Sequence, residues 1–370
     1  MHDVVTLDAR CRPYLSVFVA AMVSWFAFGY TYPADLAVFL KAAGQVLHGV
    51  NPYTPTDSPA LLDGHAYVYP WLVAFAFIPL TLIPEAVGML AFFVVSLMCV
   101  VAGSRILGLP AGLGTTALIL SVAFSRNVEL GAVNAIFFFL LSALWHWRNT
   151  TWVVVVCATA LVGAKLFLAP ILLWVVLTRS LRTAALTLGT VAAFFWVNFL
   201  LGPSSATAYF RALGRLSDHM QMRGFSFTHT VQAVFPGLPT QTTVRIVCAA
   251  VLLLAVTAHA QRGRDSERFL LACCVSIGLL GTPILWVHYG VLFFFVLILL
   301  RPEPRWVVIA SVVSWGIAST AHIQLADRVP QTWRMALSYA LLGLLLAHGW
   351  KIRGTVDHAS APTPAASMAA

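Results

Sequence analysis

Residues 33–70, PADLAVFLKAAGQVLHGVNPYTPTDSPALLDGHAYVYP, form one long polar-rich interval between two strongly apolar runs, and the layout of the whole chain follows from how they are read. Leu36, Phe39, Leu40, Ala43, Val46 and Leu47 recur at helical spacing, while Lys41, Gln45 and His48 fall on the other side. That pattern describes an amphipathic helix lying in a membrane interface. Gly49, Asn51, Pro52 and Pro55 stop it, because glycine invites a left-handed turn and proline cannot continue the hydrogen-bond ladder. Asp35 stands just beyond the first apolar run, at a boundary where a carboxylate can ionise beside a desolvated face. The placement suits a general base, and a helix-capping role for the same side chain stays open.

Outward from this interval the chain is almost continuously apolar. With 60% hydrophobic and 9% charged residues over 370 positions it cannot be a water-soluble domain, and it reads as an all-α polytopic membrane protein. The run from Tyr14 to Tyr32 follows Arg10 and Arg12 and has no small-residue cleavage site, which predicts a retained anchor helix. Crossings are expected at about 85–106, 111–126, 130–147, 183–201, 244–260, 268–284, 287–300, 305–322 and 333–350, with a broken pair at about 152–164 and 166–178. Trp71 to Pro84 is too short to span comfortably and reads as a re-entrant or half-crossing helix. Together these make roughly twelve crossings in a single domain, 1–353, followed by a disordered cytoplasmic tail, 354–370.

A net charge of +9 would suggest nucleic acid only if the basic residues formed a soluble patch, and they do not. They punctuate the ends of apolar segments, and thirteen of the twenty-two fall in short turns on one side, among them Arg105, Arg148, Arg179, Arg182, Arg268, Arg301 and Arg305. By the positive-inside rule that side is cytoplasmic, which puts residues 33–70 and the long segment from Gly202 to Thr243 outside. The latter segment is too aromatic for disorder and is expected to pack over a site. The six cysteines show neither a pairing pattern nor metal spacing, so free thiols are expected.

Few polar residues stand where chemistry is natural. Lys165, inside LVGAKLFLAPILLW, needs an anion or a path to water, because a lone ammonium at membrane depth costs several kcal/mol. Gly163 and Pro170 favour a broken helix there, which a cavity would tolerate. In FSRNVELGAVNAI, Arg126 and Asn134 bracket a helix start that suits an anion, or else form an ordinary capped loop. TPILWVHYG offers Trp286, which could stack on a sugar, and His288, a candidate acid or base that could equally cap a helix end. Asn51, Tyr53 and Tyr69 of the first loop and Arg223 of the long loop complete the candidate substrate contacts.

ADLAVFLKAAGQVLHGVNPY with YVYPWLVAFAFIPLTLIP, NVELGAVNAIFFFLLSAL, GAKLFLAPILLWVVLTRSLRTA and LLGTPILWVHYGVLFF, in this order, resemble glycosyltransferase family 87. The resemblance implies a GT-C-like bundle with an extracytoplasmic interfacial helix in its first loop. It implies transfer of a sugar, mannose foremost, from a polyprenyl-phosphate donor to a lipid or glycan acceptor on the outer face of the inner membrane. Asp35 would be the catalytic carboxylate, with Lys165 and His288 contributing to the donor site. A phosphate neutralised by fixed Lys165, Arg126 and Arg223 needs neither a cofactor nor a metal. Two features depart from the family pattern: Gly131-Ala132-Val133-Asn134 stands where many relatives carry Gly-Gln-x-Asn, and the Trp286–His288 run lacks a doubled histidine. A transporter or lipid flippase is the alternative reading of so many crossings with an intramembrane lysine.

Overall fold

The computed structural model describes residues 12–28, 33–63, 65–220, 226–260 and 264–318, and in addition 339, 342–343 and 346–347. Among the described residues all regular structure is helical: α1 (Arg12–Phe28), α2 (Ala34–Leu47), α3 (Trp71–Phe75), α4 (Ile78–Thr81), α5 (Glu85–Ile106), α6 (Leu113–Ile119), α7 (Val122–Leu130), α8 (Asn134–His146), α9 (Thr151–Ala164), α10 (Ile171–Thr178), α11 (Leu181–Leu201), α12 (Ala206–Met220), α13 (Phe227–Val234), α14 (Thr240–Ala260), α15 (Arg264–Gly281), α16 (Gly290–Leu300) and α17 (Pro304–Ala318). Short 3-10 turns occupy Pro59–Leu62, Leu166–Leu168 and Val287–Tyr289.

Three of these helices, α5, α11 and α14, are long and apolar enough to cross a membrane on their own, and several others are shorter apolar helices. At 1.5 Å per residue a helix of about 20 residues reaches roughly 30 Å, the thickness of the hydrocarbon core. Their outward faces are apolar: Val87, Leu90, Val94 and Met98 of α5 and Leu253 of α14 are exposed, as are Phe18 and Phe26 of α1. Such surfaces fit acyl chains and not water, and the protein is a membrane protein. The centre of the bundle is α15 and α16, where Leu270 to Val275 are wholly buried together with Val291, Leu292 and Phe295.

Two expectations change. The crossing anticipated at 111–126 is not one helix: α6 ends at Ile119, and Ser121 starts α7 by accepting a hydrogen bond from the Phe124 N–H. Helix α7 then closes on Gly131 in the left-handed conformation (φ +65°) and turns 120° into α8. The long segment 202–243 is largely helical, as α12 and α13 with the start of α14. Helix α12 buries Tyr209, Leu216 and Met220, spaced seven and four residues apart along one face. The break expected at Lys165 is present between α9 and α10, and α5, α11 and α14 cover their expected spans. The crossing at 333–350 and the tail 354–370 lie outside the described residues, apart from a few isolated positions.

The breaks position α2, the helix that carries Asp35. A Cβ on Gly131 would sit 2.5 Å from the Leu36 Cβ and 3.1 Å from that of Pro33, so the bend between α7 and α8 abuts the first turn of α2. A Cβ on Gly290 would meet that of Ala123 at 2.8 Å. Helix α7 therefore bridges the start of α2 and the turn that holds His288.

Candidate functional site

Helix α2 buries Leu36, Phe39, Ala42, Ala43 and Val46, and this packing orients Asp35 in its first turn. Its N-cap position is Pro33, with no side-chain cap, so the carboxylate is free of the capping role left open by the sequence. Phe39 stacks on Phe77 with ring centres 4.3 Å apart and meets Tyr69 at 4.5 Å, tying α2 to the segment entering α3 and α4.

Lys165 closes α9 and opens the following 3-10 turn in an extended conformation. Three small or rigid residues explain the break: Pro170 donates no hydrogen bond, Gly163 admits the Phe194 ring, and Gly278 admits the Phe167 carbonyl, which a Cβ would meet at 2.3 Å. The ammonium donates to the Tyr289 hydroxyl at 2.6 Å and lies 4.3 Å from the centre of the Tyr69 ring. A cation against an aromatic face is stabilised by the ring quadrupole, and more so where water is excluded. Lys165 therefore does not simply extend to bulk water.

These groups face one cavity of about 720 Å³, whose walls include Asp35, Tyr69, Lys165, Trp286, His288 and Tyr289. Helix α12 forms another wall through Tyr209, Leu216, Ser217 and Met220. It is fastened to the first loop by the Tyr209 hydroxyl donating to the Val68 carbonyl at 3.0 Å, and by Arg215, which donates to the Thr56 carbonyl and pairs with Asp57.

The His288 Nε2 lies 3.7 Å from Asp35 Oδ2, with the histidine side chain 7% and the aspartate 37% exposed. His288 is buried in the 3-10 turn that leads into α16. Burial raises the Asp35 carboxyl above its usual range, against opposing pulls from Lys165 and His65. The pair is thus a carboxylate made more basic beside a buried imidazole. Such a carboxylate can take a proton from a hydroxyl held in the cavity, and Lys165 can neutralise an oxyanion there.

Other sequence candidates lie elsewhere. Arg126 pairs with Glu129 at 2.5 Å, three residues on in the same helix, and is not among the cavity walls. Asn134 is buried at the start of α8. Asn51 is exposed, and its side chain accepts from the Tyr53 N–H in a local turn. Tyr53 stands behind the cavity, its hydroxyl donating to the Tyr69 carbonyl at 3.1 Å. Arg223 lies outside the described residues. Tyr289, which the sequence reading passed over, is the direct partner of Lys165; its signal was adjacency to His288 and the need of a buried lysine for an acceptor. Among the described residues no group of three histidines, cysteines or carboxylates is arranged to hold a metal ion, and Cys99, Cys157, Cys248, Cys273 and Cys274 are free.

The sequence model of glycosyltransferase family 87 matches residues 67–283. A polyprenol-phosphate-mannose-dependent alpha-(1-2)-phosphatidylinositol mannoside mannosyltransferase of Mycolicibacterium smegmatis is 25% identical over 228 residues, covering 57% of this chain. The match spans about half, 52%, of that relative's length. No solved structure matches the chain.

Proposed function

Because the chain belongs to glycosyltransferase family 87, whose model covers more than half of it, we propose that it is a membrane-embedded glycosyltransferase that transfers a hexose, mannose foremost, from a polyprenyl-phosphate donor to a lipid or glycan acceptor. The observation that carries the proposal is the convergence of Asp35, Lys165 and His288 on one cavity, from three segments far apart in sequence. The printed activity of the matched relative supports the donor class. In this reading the enzyme has a GT-C-like fold of roughly twelve crossings. It sits in the inner membrane with α2 and the cavity on the extracytoplasmic side, as the distribution of basic residues favours.

The acceptor hydroxyl oxygen attacks the anomeric carbon while the bond from that carbon to the phosphate oxygen breaks, its electron pair leaving with the polyprenyl phosphate. Asp35 takes the hydroxyl proton, and Lys165, steadied by Tyr289 and Tyr69, stabilises the charge that grows on the phosphate. His288 orients the carboxylate or the sugar, and Trp286 offers an aromatic face to the sugar ring. One displacement inverts the anomeric configuration, and a β-linked donor gives an α-linked product. The polar groups gather at one cavity and do not fall into two corresponding halves, which favours an enzyme over a transporter or flippase.

The test is to incubate purified protein in lipid with a panel of radiolabelled polyprenyl-phosphate sugars and follow label into acceptor lipid or glycan. Transfer from one donor, abolished by Asp35→Asn, is the expected result. Absence of transfer from every donor, with label instead moved across the bilayer, would replace this reading with the flippase.

A further inference from the structure

Away from the cavity, at the far end of the bundle, Arg148 and Arg179 meet at the Glu267 carboxylate, and Arg268 shares the Trp145 ring with Arg148. Helix α9 begins beside this cluster and ends at Lys165, so the two sites stand about 20 Å apart at 1.5 Å per residue. Arg179 is consumed there by the protein itself. Its guanidinium reaches Glu267 at 2.5 Å, the Arg148 carbonyl at 2.9 Å and Asn149 at 3.0 Å, lies over Trp174, and is only 7% exposed. Its task is to join the ends of α8 and α10 to the first turn of α15.

Arg148 and Arg268 are not used up in this way. Arg148 donates once, to the Trp145 carbonyl at 3.1 Å, and stands 3.5 Å from the carboxylate oxygen that Arg179 already holds; it is 30% exposed. The Arg268 Nε is buried with no hydrogen-bond partner, and no described carboxylate forms an ion pair with it. Both guanidiniums address the same indole, Arg148 at 4.3 Å and Arg268 at 5.6 Å from the Trp145 ring centre. Two like charges thus share one aromatic ring, within about 10 Å of each other, with only the Glu267 carboxylate, shared with Arg179, to offset Arg148 and no described carboxylate paired with Arg268. Trp147 and Trp152 flank the corner and are 42% and 71% exposed, as interfacial tryptophans are, which sets it at headgroup depth.

We propose that Arg148 and Arg268, spaced by Trp145, form a site for the phosphate of an anionic phospholipid headgroup, separate from the cavity. A guanidinium fork matches phosphate oxygens in pairs, and basic pockets between membrane helices hold anionic headgroups by this chemistry. The missing negative charge is supplied by the lipid, which in turn ties α8 and α15 together at their ends.

The test titrates the purified full chain in detergent with phosphatidylglycerol, phosphatidylcholine or inorganic phosphate. Native mass spectrometry reads retained lipid, and thermal unfolding reads protection. Phosphatidylglycerol should be retained and should protect, phosphatidylcholine should do neither, and R148Q with R268Q should weaken phosphatidylglycerol binding at least tenfold. Arg105→Gln, at the end of α5 where the guanidinium donates to the Tyr14 hydroxyl and not to this cluster, should leave it unchanged. Replacing both arginines by lysine keeps the charge and the fold while removing the fork, and should weaken binding severalfold. Equal retention by either double variant and the wild type would overturn the site. Protection by inorganic phosphate without retention of phosphatidylglycerol would overturn the lipid and leave an adventitious ion only.

Discussion

The His288 Nε2 faces Asp35 Oδ2 across 3.7 Å, although 252 residues separate the two in the chain. That gap is too wide for a hydrogen bond and narrow enough for one sugar hydroxyl or water to join both groups. The pair is therefore arranged for a third participant, and the first prediction concerns which member takes its proton.

Asp35→Asn keeps size and most hydrogen-bonding capacity but removes basicity. Positioned proton transfer contributes about 10² to 10⁴ in rate, so kcat should fall by at least about 100-fold with donor affinity nearly kept. Transfer assays beside donor-binding measurements separate the two. Near-wild-type turnover in the Asn variant would move the base elsewhere, with His288 next in line.

The α2 helix, the break at Lys165 and the spans of α5, α11 and α14 were legible because each rests on local causes: apolar periodicity, a proline and small residues at the break, and long uncharged runs. The pairing of Arg126 was also legible locally, since Glu129 three residues on is its natural partner on a helix. Tyr289 and the wall formed by α12 needed tertiary structure. Nothing in the local sequence says that the hydroxyl after His288 meets an ammonium 124 residues earlier, or that the polar stretch after α11 folds back over the first loop.

Lys165→Met should raise the donor KM severalfold or abolish turnover while the folded yield stays close to wild type, because methionine keeps most of the apolar stem and loses the charge and the hydrogen bond to Tyr289. Tyr289→Phe removes the hydroxyl acceptor but leaves both aromatic faces, so its effect should be smaller and of the same kind. Unchanged kinetics in the methionine variant would return Lys165 to a purely structural place.

A membrane-impermeant thiol reagent should label a cysteine placed at Ser58, in the first loop, in intact cells. It should reach one placed at Thr150, between α8 and α9, only after the membrane is opened. The reverse pattern would invert the proposed orientation.

The bend at Gly131 offers a structural test. Alanine there must adopt φ +65° and bring a Cβ to 2.5 Å from that of Leu36, so α2 has to move. The strain should cost about 1 kcal/mol or more in stability, and the displacement of Asp35 should lower kcat further than that loss explains. Gly44→Ala, a helical position where nothing lies within 4 Å of the added carbon, is the control: it should leave kcat unchanged and stability unchanged or raised by up to about 1 kcal/mol.

The pH profile distinguishes the two members of the pair. A general base works only when deprotonated, so activity is lost as pH falls through its pKa, and a raised pKa moves that loss upward. Burial raises Asp35, so the acidic limb of kcat/KM should lie above the ordinary carboxylate value of about 4. A limb supplied by an ordinary histidine would instead lie near about 6.5. Lys165 is one of the charges that pulls Asp35 downward, and Lys165→Met should push the acidic limb to still higher pH in whatever activity remains. His288→Gln should lower the rate and leave an acidic limb in place. A limb near pH 6.5 that vanishes in the glutamine variant would make His288 the titrating base and Asp35 its orienting partner.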